Sequence, residues 1–573
     1  MIHSKIPVAQ SIVHLCISKG IRHVILSPGS RNAPLTIEFV NHPESKAYSI
    51  VDERCAAFVG LGIAQQQKTP VALVCTSGSA LLNYYPAIAE AFYSDIPLVV
   101  ISADRPPERI DIGDGQTIRQ ENVYENHSLY SANLKVEELV NEDAIDSKEL
   151  QKIENIRSYN EQEINKALNA AIKGQGPIHI NVPFYEPLYG TTQEKIVNPI
   201  EVSVKHNLLE LTNEELVPFT QLWNTSKRKM ILVGVLPPNS IEQRFLDTLG
   251  ASDDIVVFTE TTSNVHHPKF FTRIDNMIAP LDEEGFKALQ PDILLTLGGM
   301  VVSKKIKNFL RTFQPTHHWH IDEKKAYDTY FCLNKHFKIA PNNFFGQFLS
   351  LTRKVESTYQ KEWLTIRNHR DTKHNEYVIK MPWSDFKAFD TLINAIPSNS
   401  IVHLGNSSTV RYAQLFKQKD TSLDIYCNRG TSGIDGSTST AMGCAMSTSS
   451  MTTLITGDLS FFYDSNALWN KYIPNNFKII VINNSGGGIF RILPNKDKDS
   501  SNFDEFFETT HNYTAKQLCE MYGFKYLLAT NAEEVASKQI SLYENNEQPS
   551  LLEVVTAPKV NDKVLIEYFK YIK

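Results

Sequence analysis

No apolar run in the 573-residue chain approaches the ~18 residues that a bilayer-spanning helix needs. The amino-terminal stretch MIHSKIPVAQSIVHLCISKG also lacks the unbroken apolar centre of a secretion signal and has the spacing of an amphipathic helix. A membrane protein and an exported one are both disfavoured, and a cytoplasmic location is expected. Cysteine is scarce: Cys16, Cys55, Cys75, Cys332, Cys427, Cys444 and Cys519 are scattered, odd in number and free of any C-x-x-C pair. That excludes a disulfide frame or a zinc knuckle and leaves reduced core thiols. No basic stripe exists either. With a formal charge of −7 and a pI near 6.2, a nucleic-acid partner is not expected. His317-His318-Trp319-His320 alternates like a strand without carboxylate or cysteine partners at ligand spacing, and His266-His267-Pro268 reads as a loop, so zinc is not expected.

What is present is material for several cores, since 42% of the residues are hydrophobic. The first third repeats strand, Gly-rich turn and helix: IRHVILSPGSRNAP, then AYSIVDERCAAFVGLGIAQQQ, then PVALVCTSGSALLNYYPAIAEAFYSDIPLVVISADRPP. Such alternation predicts a doubly wound parallel sheet, whose ligands sit beyond the carboxyl ends of the strands. A charged helix over 136–173 and the strand GPIHINVPF close this domain, 1–185. Residues 186–210 read as a linker. KMILVGVLP, DIVVFTE, DILLTLGG and HHWHIDE supply the strands of a middle α/β domain, 211–351. The turn-poor, charge-rich 352–382 reads as a solvated helical connector, and 383–573 as a third domain. The fold class is α/β, with three doubly wound parallel-sheet domains.

The most informative stretch is MTTLITGDLSFFYDSNALWNKYIPNNFKIIVINNSGGGIFR, Met451 to Arg491. Two buried strands flank a piece of helical length, Phe461 to Tyr472, which makes a βαβ unit. A right-handed crossover lays the strands parallel and roughly 5 Å apart, so Asp458 and Asn484 emerge together at the carboxyl edge. A carboxylate, an amide oxygen and a carbonyl from Ser485-Gly486-Gly487-Gly488 are hard donors that suit Mg²⁺ or Ca²⁺ over zinc.

Gly457-Asp458 followed at the next strand end by Asn484 resembles the diphosphate and metal motif of thiamine-diphosphate enzymes, with Leu459 where a third glycine is common. SPGSRNAPL, VDERCAAFVGLG, ISADRPPE, GNSSTVR, NRGTSGIDGSTSTAMG and GDLSFFYDSNAL together resemble one family across the whole chain. It is the 2-succinyl-5-enolpyruvyl-6-hydroxy-3-cyclohexene-1-carboxylate synthase family of menaquinone biosynthesis, and GDL is that family's own form of the motif. The middle domain is matched mainly by LGGMVVSKK.

The resemblance implies thiamine diphosphate with Mg²⁺, or Mn²⁺ as a substitute, held to the chain through Asp458, Asn484 and Gly486. It places Pro28, Glu53, Ser407, Ile434, Gly457, Asp458, Leu459, Ser460, Asn484, Gly486, Gly487 and Ile489 around the cofactor. Glu53 follows the buried strand YSIVDE and opens a helix of small apolar residues, where a carboxyl group can hold and share a proton. Taken alone it is equally a first-turn acid favoured by the helix dipole. The family assigns it to the cofactor's proton relay, and Ile434 to supporting the bent cofactor. The implied substrates are 2-oxoglutarate, which is decarboxylated, and isochorismate, which accepts the remaining unit. Both are dicarboxylates, and guanidinium forks suit carboxylates. Ser30, Arg31, Arg105, Gln116, Lys304, Ser407, Arg411, Arg429, Phe490 and Leu493 are the implied substrate residues. A homodimer with active sites at the interface is implied, with a dimer of dimers as a further step. Two other readings share these residues: a carboligase acting on pyruvate with a flavin in the middle domain, and a non-catalytic metabolite sensor.

Overall fold

The computed structural model describes residues 1–137, 146–204, 210–418, 420–492, 498–544 and 547–573. Three parallel sheets carry the chain. The first holds β2 (His23–Leu26), β3 (Lys46–Ser49), β4 (Val71–Cys75), β5 (Leu98–Asp104), β6 (Ser131–Asn133) and β7 (Ile178–Pro183), in the order β3-β2-β4-β5-β7-β6. A separate antiparallel pair joins β1 (His3–Ser4) to β8 (Thr191–Thr192). The middle sheet, order β10-β9-β11-β12-β13, uses β9 (Lys229–Val233), β10 (Ile255–Thr259), β11 (Ile293–Leu297), β12 (His317–Ile321) and β13 (Leu333–Phe337). The last, order β15-β14-β16-β17-β19-β18, uses β14 (Ile401–Leu404), β15 (Asp424–Tyr426), β16 (Thr452–Gly457), β17 (Phe477–Asn483), β18 (Lys525–Ala529) and β19 (Ser550–Val555).

Central strands are apolar on both faces because helices cover both, as β4 and β5, buried at every position, show. In the middle sheet the alternation is explicit. Ile231, Val233, Ile255 and Val257 join one core, whereas Met230, Leu232, Val256 and Phe258 join another on the opposite face. Among the described residues no helix is long and apolar enough to cross a membrane. All seven cysteines are free thiols, and only Cys332 is not fully buried.

The chain divides into two compact units: Met1–His206 with Gly430–Thr452 and Ser460–Phe477, and Asn207–Arg429 with Thr453–Leu459 and Lys478–Lys573. Within the first, the Glu53–Gln67 and Ser437–Met446 helices touch backbone to backbone. A Cβ added at Gly62 would stand 2.0 Å from the Thr440 carbonyl oxygen, and one at Gly443 would stand 2.1 Å from that of Val59.

Several expectations need correction. The strand before Glu53 is not a buried YSIVDE; it is the edge strand β3, half-exposed and ending at Ser49. Of the helix expected over 136–173, residues 138–145 lie outside the described residues; the described helix runs Ser147–Gly174, capped by Asp146, whose carboxylate accepts from the Lys148 and Glu149 amides. The helix expected over Phe461–Tyr472 is a short one, Asp458–Tyr463, followed by a 3₁₀ turn, Ser465–Leu468. The stretch read as a linker contributes β8. The connector is helical, Tyr359–Lys380, but one side is buried rather than solvated. Tyr359 donates to the Leu289 carbonyl (2.5 Å) and Tyr377 to the Val564 carbonyl (2.8 Å), so the helix fastens elements of the middle and last sheets.

Candidate active site

In the first unit the loops after β2, β4, β5 and β7, four neighbouring strands, carry the polar residues. Arg31 follows β2 and is buried, with 7% of its surface exposed. Its guanidinium pairs with Glu186 (3.1 Å) and donates to the Phe184 carbonyl (3.3 Å), just past β7. Burial, and then the neighbouring Arg105, lower the Arg31 pKa, the mark of two cations drawn together in a sheltered place. Arg105 follows β5 and donates to the Gly115 carbonyl at 2.8 and 3.2 Å, which ties down the loop bearing the exposed Gln116.

Beneath them lies a network the sequence did not disclose. Gln120 is fully buried; it accepts from the Gly78 amide (2.8 Å) and donates to the Ala103 carbonyl (3.1 Å) and to Asn181 (2.9 Å). Asn181 donates in turn to Asp104 (2.9 Å), whose other oxygen accepts the Arg105 amide (2.8 Å). Burial raises the Asp104 carboxyl. Pro28 and Ser30 stand exposed in the loop after β2.

Glu53 is the first residue of its helix and half-buried. Asp52 caps that helix by accepting from the Cys55 amide (3.0 Å), and Asn83 donates to the Glu53 carboxylate (3.3 Å). Ile434 is half-buried in the same unit, and its carbonyl accepts from the Ser460 hydroxyl (2.9 Å). Nearby in the chain, Gly430 and Thr431 are held by Glu90, a carboxylate on the Tyr85–Ser94 helix that is 1% exposed. It accepts from both amides at 2.7 Å and from the Thr431 hydroxyl at 2.9 Å.

In the second unit, β15, β14, β16 and β17 lie side by side, and the residues just beyond them are Arg429, Ser407, Asp458 and Asn484. Asp458 is buried; one carboxylate oxygen accepts the Leu459 amide (2.7 Å) and the other the Gly486 amide (3.0 Å). That second bond folds the turn after β17 back onto the end of β16. Asn484 donates its amide N–H to Asp385 (2.8 Å). Its amide oxygen is left buried without a hydrogen-bond donor among the described residues. A buried oxygen with no donor is costly unless a cation or water completes it. The carboxylate, this amide oxygen and the Gly486 carbonyl therefore fit a hard divalent cation. Asp385 holds the amide in that sense; burial pushes its carboxyl up to about 6, against the Thr556 bond at 2.5 Å.

His511 stands 3.3 Å from Asp458 and its amide donates to the Ser485 carbonyl (3.1 Å), so the segment beyond the glycine turn closes against it. Gly487 donates to the Glu508 carbonyl (2.6 Å), and Arg491 forks onto the Glu508 carboxylate. Ile489 and Phe490 begin the short Ile489–Ile492 helix, with Phe490 exposed. Leu493 lies outside the described residues.

Two arginines of this unit lie close enough to repel each other. Arg429, 9% exposed, donates to Asn406 (2.7 Å), and Asn406 donates to the Asn428 carbonyl (2.7 Å). Arg411 donates to the carbonyl of Ser407, a residue at φ +70°. Burial, then Arg429, lowers the Arg411 pKa, and Asp275 and Glu260 oppose that shift. Lys304 starts the Lys304–Thr312 helix and is exposed. Within β12, His318 and His320 both hydrogen-bond the Thr296 hydroxyl, at 2.9 and 2.8 Å. His127 packs edge-on among Tyr85, Phe92 and Tyr93.

A doubly wound fold with an acidic residue opening a helix after one sheet edge, and an Asp-Asn pair on adjacent strand ends of another, defines a thiamine-diphosphate-binding enzyme. Two family models agree: "Thiamine pyrophosphate enzyme, N-terminal TPP binding domain" matches residues 6–126, and its C-terminal counterpart matches 405–554. Within that class, the chain belongs to the 2-succinyl-5-enolpyruvyl-6-hydroxy-3-cyclohexene-1-carboxylate synthase family. It is 58% identical to the synthase of that name from Christiangramia forsetii over the full length of both chains. It is 53% identical to the one from Flavobacterium psychrophilum, again over both full lengths. The Porphyromonas gingivalis synthase is 37% identical over 97% of this chain and 95% of its own.

Proposed function

We propose that this chain decarboxylates 2-oxoglutarate and joins the remaining four-carbon unit to isochorismate. The products are 2-succinyl-5-enolpyruvyl-6-hydroxy-3-cyclohexene-1-carboxylate and CO2, in the cytoplasmic synthesis of menaquinone. The observation that carries the reading is the placing of buried or half-buried arginines in the segments that follow the strands of each unit, Arg31 and Arg105 in one, Arg429 and, on the Ser408–Ala413 helix, Arg411 in the other. A protein of net charge −7 has no general need of sheltered cations; two dicarboxylate substrates do.

Asp458, Asn484 and the Gly486 carbonyl would hold Mg²⁺, with Mn²⁺ as a substitute, and Gly487 and Ser407 would border the diphosphate. Thiamine diphosphate, when bound, supplies the carbon nucleophile and the electron sink for loss of CO2. Glu53 would share a proton with the cofactor's pyrimidine, Ile434 would support the cofactor, and the arginines with Lys304, Ser30 and Gln116 would orient the carboxylates so that the reacting atoms stay close. No side chain of this set acts as a covalent nucleophile. The resemblance to the family supports a homodimer in which Glu53 of one copy serves the cofactor bound by another, with pairing of dimers as a further step.

The deciding assay is CO2 release from 2-oxoglutarate with thiamine diphosphate and Mg²⁺, with and without isochorismate, and with pyruvate as the rival donor. Release that depends on isochorismate supports the reading; release from pyruvate alone removes the substrate assignment and keeps the cofactor.

A further inference from the structure

Glu260 follows β10 at the carboxyl edge of the middle sheet, with 3% of its surface exposed. Its two carboxylate oxygens are used separately: one accepts the Val302 amide (2.7 Å) and the other the Ser303 amide (2.8 Å). The base of this hook is fixed. Glu260's own amide donates to the Ser263 hydroxyl (2.9 Å), which donates to the Val233 carbonyl at the end of β9 (2.8 Å). The far end is fixed as well, because Ser303 caps the Lys304–Thr312 helix through the Ile306 amide (3.2 Å) and gives its own hydroxyl proton to Asp275. The residue immediately after the hook is Lys304.

A carboxylate without a direct ion pair is expensive to bury, and burial pushes Glu260 up to about 7. Two amide bonds and the surrounding cations offset that cost: Arg429 lowers the Glu260 pKa, and Glu260 raises those of Lys307 and Arg411. A side chain that served only to fill the core would be apolar at this position.

We propose that Glu260 is a positioning residue: by hooking two successive amides it fixes where the Lys304–Thr312 helix begins, and so where Lys304 presents its ammonium group to a substrate carboxylate. The inference rests on the proposed role of Lys304, and it separates from a simple charge effect by sign. If Glu260 mattered only as a buried anion among cations, removing its charge would strengthen dicarboxylate binding. Because it acts through the backbone, removing the hook weakens binding instead.

The test compares wild type, Glu260→Gln and Glu260→Asp as full-length protein with thiamine diphosphate and Mg²⁺. Gln keeps the shape but opposes one amide with an N–H; Asp keeps the charge but is one carbon too short to reach both. Both variants should raise the KM for 2-oxoglutarate about tenfold, the loss of one charge-assisted hydrogen bond, while thiamine diphosphate titrates as in wild type. Amide hydrogen exchange at Val302 and Ser303 should quicken by a similar factor. Adding Lys304→Ala to Glu260→Gln should cost little beyond Lys304→Ala alone, since both remove one arrangement. An unchanged or lowered KM with faster exchange would overturn the positioning role, and unchanged exchange would overturn the hook. If Glu260→Gln fails to fold, Glu260→Asp with the exchange measurement carries the test. A wild-type enzyme inert toward 2-oxoglutarate counts against the proposed function itself and is seen before any variant is made.

Discussion

At the scale of single residues, the candidate site separates groups that meet ligand from groups that aim them. On the proposed reading Glu53 belongs to the first kind; Asn83, which donates to its carboxylate, is neutral. Glu53→Gln is expected to lower turnover on the order of 10²- to 10⁴-fold, the usual worth of a positioned proton carrier, with thiamine diphosphate affinity and the far-ultraviolet circular dichroism spectrum kept. Full turnover in that variant would remove Glu53 from the proton relay. Asp458 accepts the Gly486 amide and so folds that turn back, and on the proposed reading it is also a cation ligand. Asp458→Ala should weaken thiamine diphosphate binding roughly a hundredfold in the presence of Mg²⁺ and much less without it, checked by fluorescence titration. Equal losses in the two conditions would assign Asp458 to the turn alone. Arg429 lies three residues past the short edge strand β15, whereas Asp458 and Asn484 could be placed at neighbouring strand ends from the chain because each directly follows an apolar strand. Asp385, Gln120, Glu260 and His511 could not. Their partners lie far away in sequence, and nothing local distinguishes a carboxylate that will orient an amide from one that will face water.

At the scale of elements, the central strands were legible for the same reason that they are central: buried on both faces, they carry unbroken apolar runs. Edge strands escape that rule. β6, β13, β15 and β18 are short, partly polar, or both, and β3 ends before the acid that the pattern assigned to a longer buried strand. The Tyr359–Lys380 helix misled through composition. Its charged residues are numerous, yet Arg370 is buried and donates to the Asn276 and Met277 carbonyls. The loop after Arg429 is held by a side chain of another element, Glu90. Glu90→Gln leaves one of the two amides facing an N–H in a buried place, which should cost about 2 kcal/mol. Urea unfolding followed by tryptophan fluorescence measures it, and a loss within experimental error would show that the loop holds itself.

At the scale of the whole molecule, buried titratable groups pull in opposite directions as pH changes. His403 is buried, and its pKa is lowered from 6.5 to about 3. Its contribution is present above pH 6.5 and is lost as pH falls toward 3. Asp464, held by the Ser439 amide and hydroxyl at 2.7 and 2.8 Å, is pushed by burial from 3.8 up to about 7. Its contribution is present below 3.8 and lost as pH rises through 7. Between pH 7 and pH 5, therefore, His403→Gln should gain on wild type by about 2 kcal/mol, and Asp464→Asn should fall behind by a similar amount. Paired urea midpoints at the two pH values read both signs, and parallel shifts would refute the assignment.

The backbone contact between Gly62 and Thr440, matched by that of Gly443 with Val59, sets a limit on how this fold can diverge. Neither glycine belongs to the candidate site, and each would look replaceable by alanine if its own helix were considered alone. Yet a methyl group on either helix must push the other away, so neither site can drift until its neighbour's helix has already moved. Lineages should inherit the two glycines as a linked trait, lost together or not at all, even where the substrate loops have been rewritten.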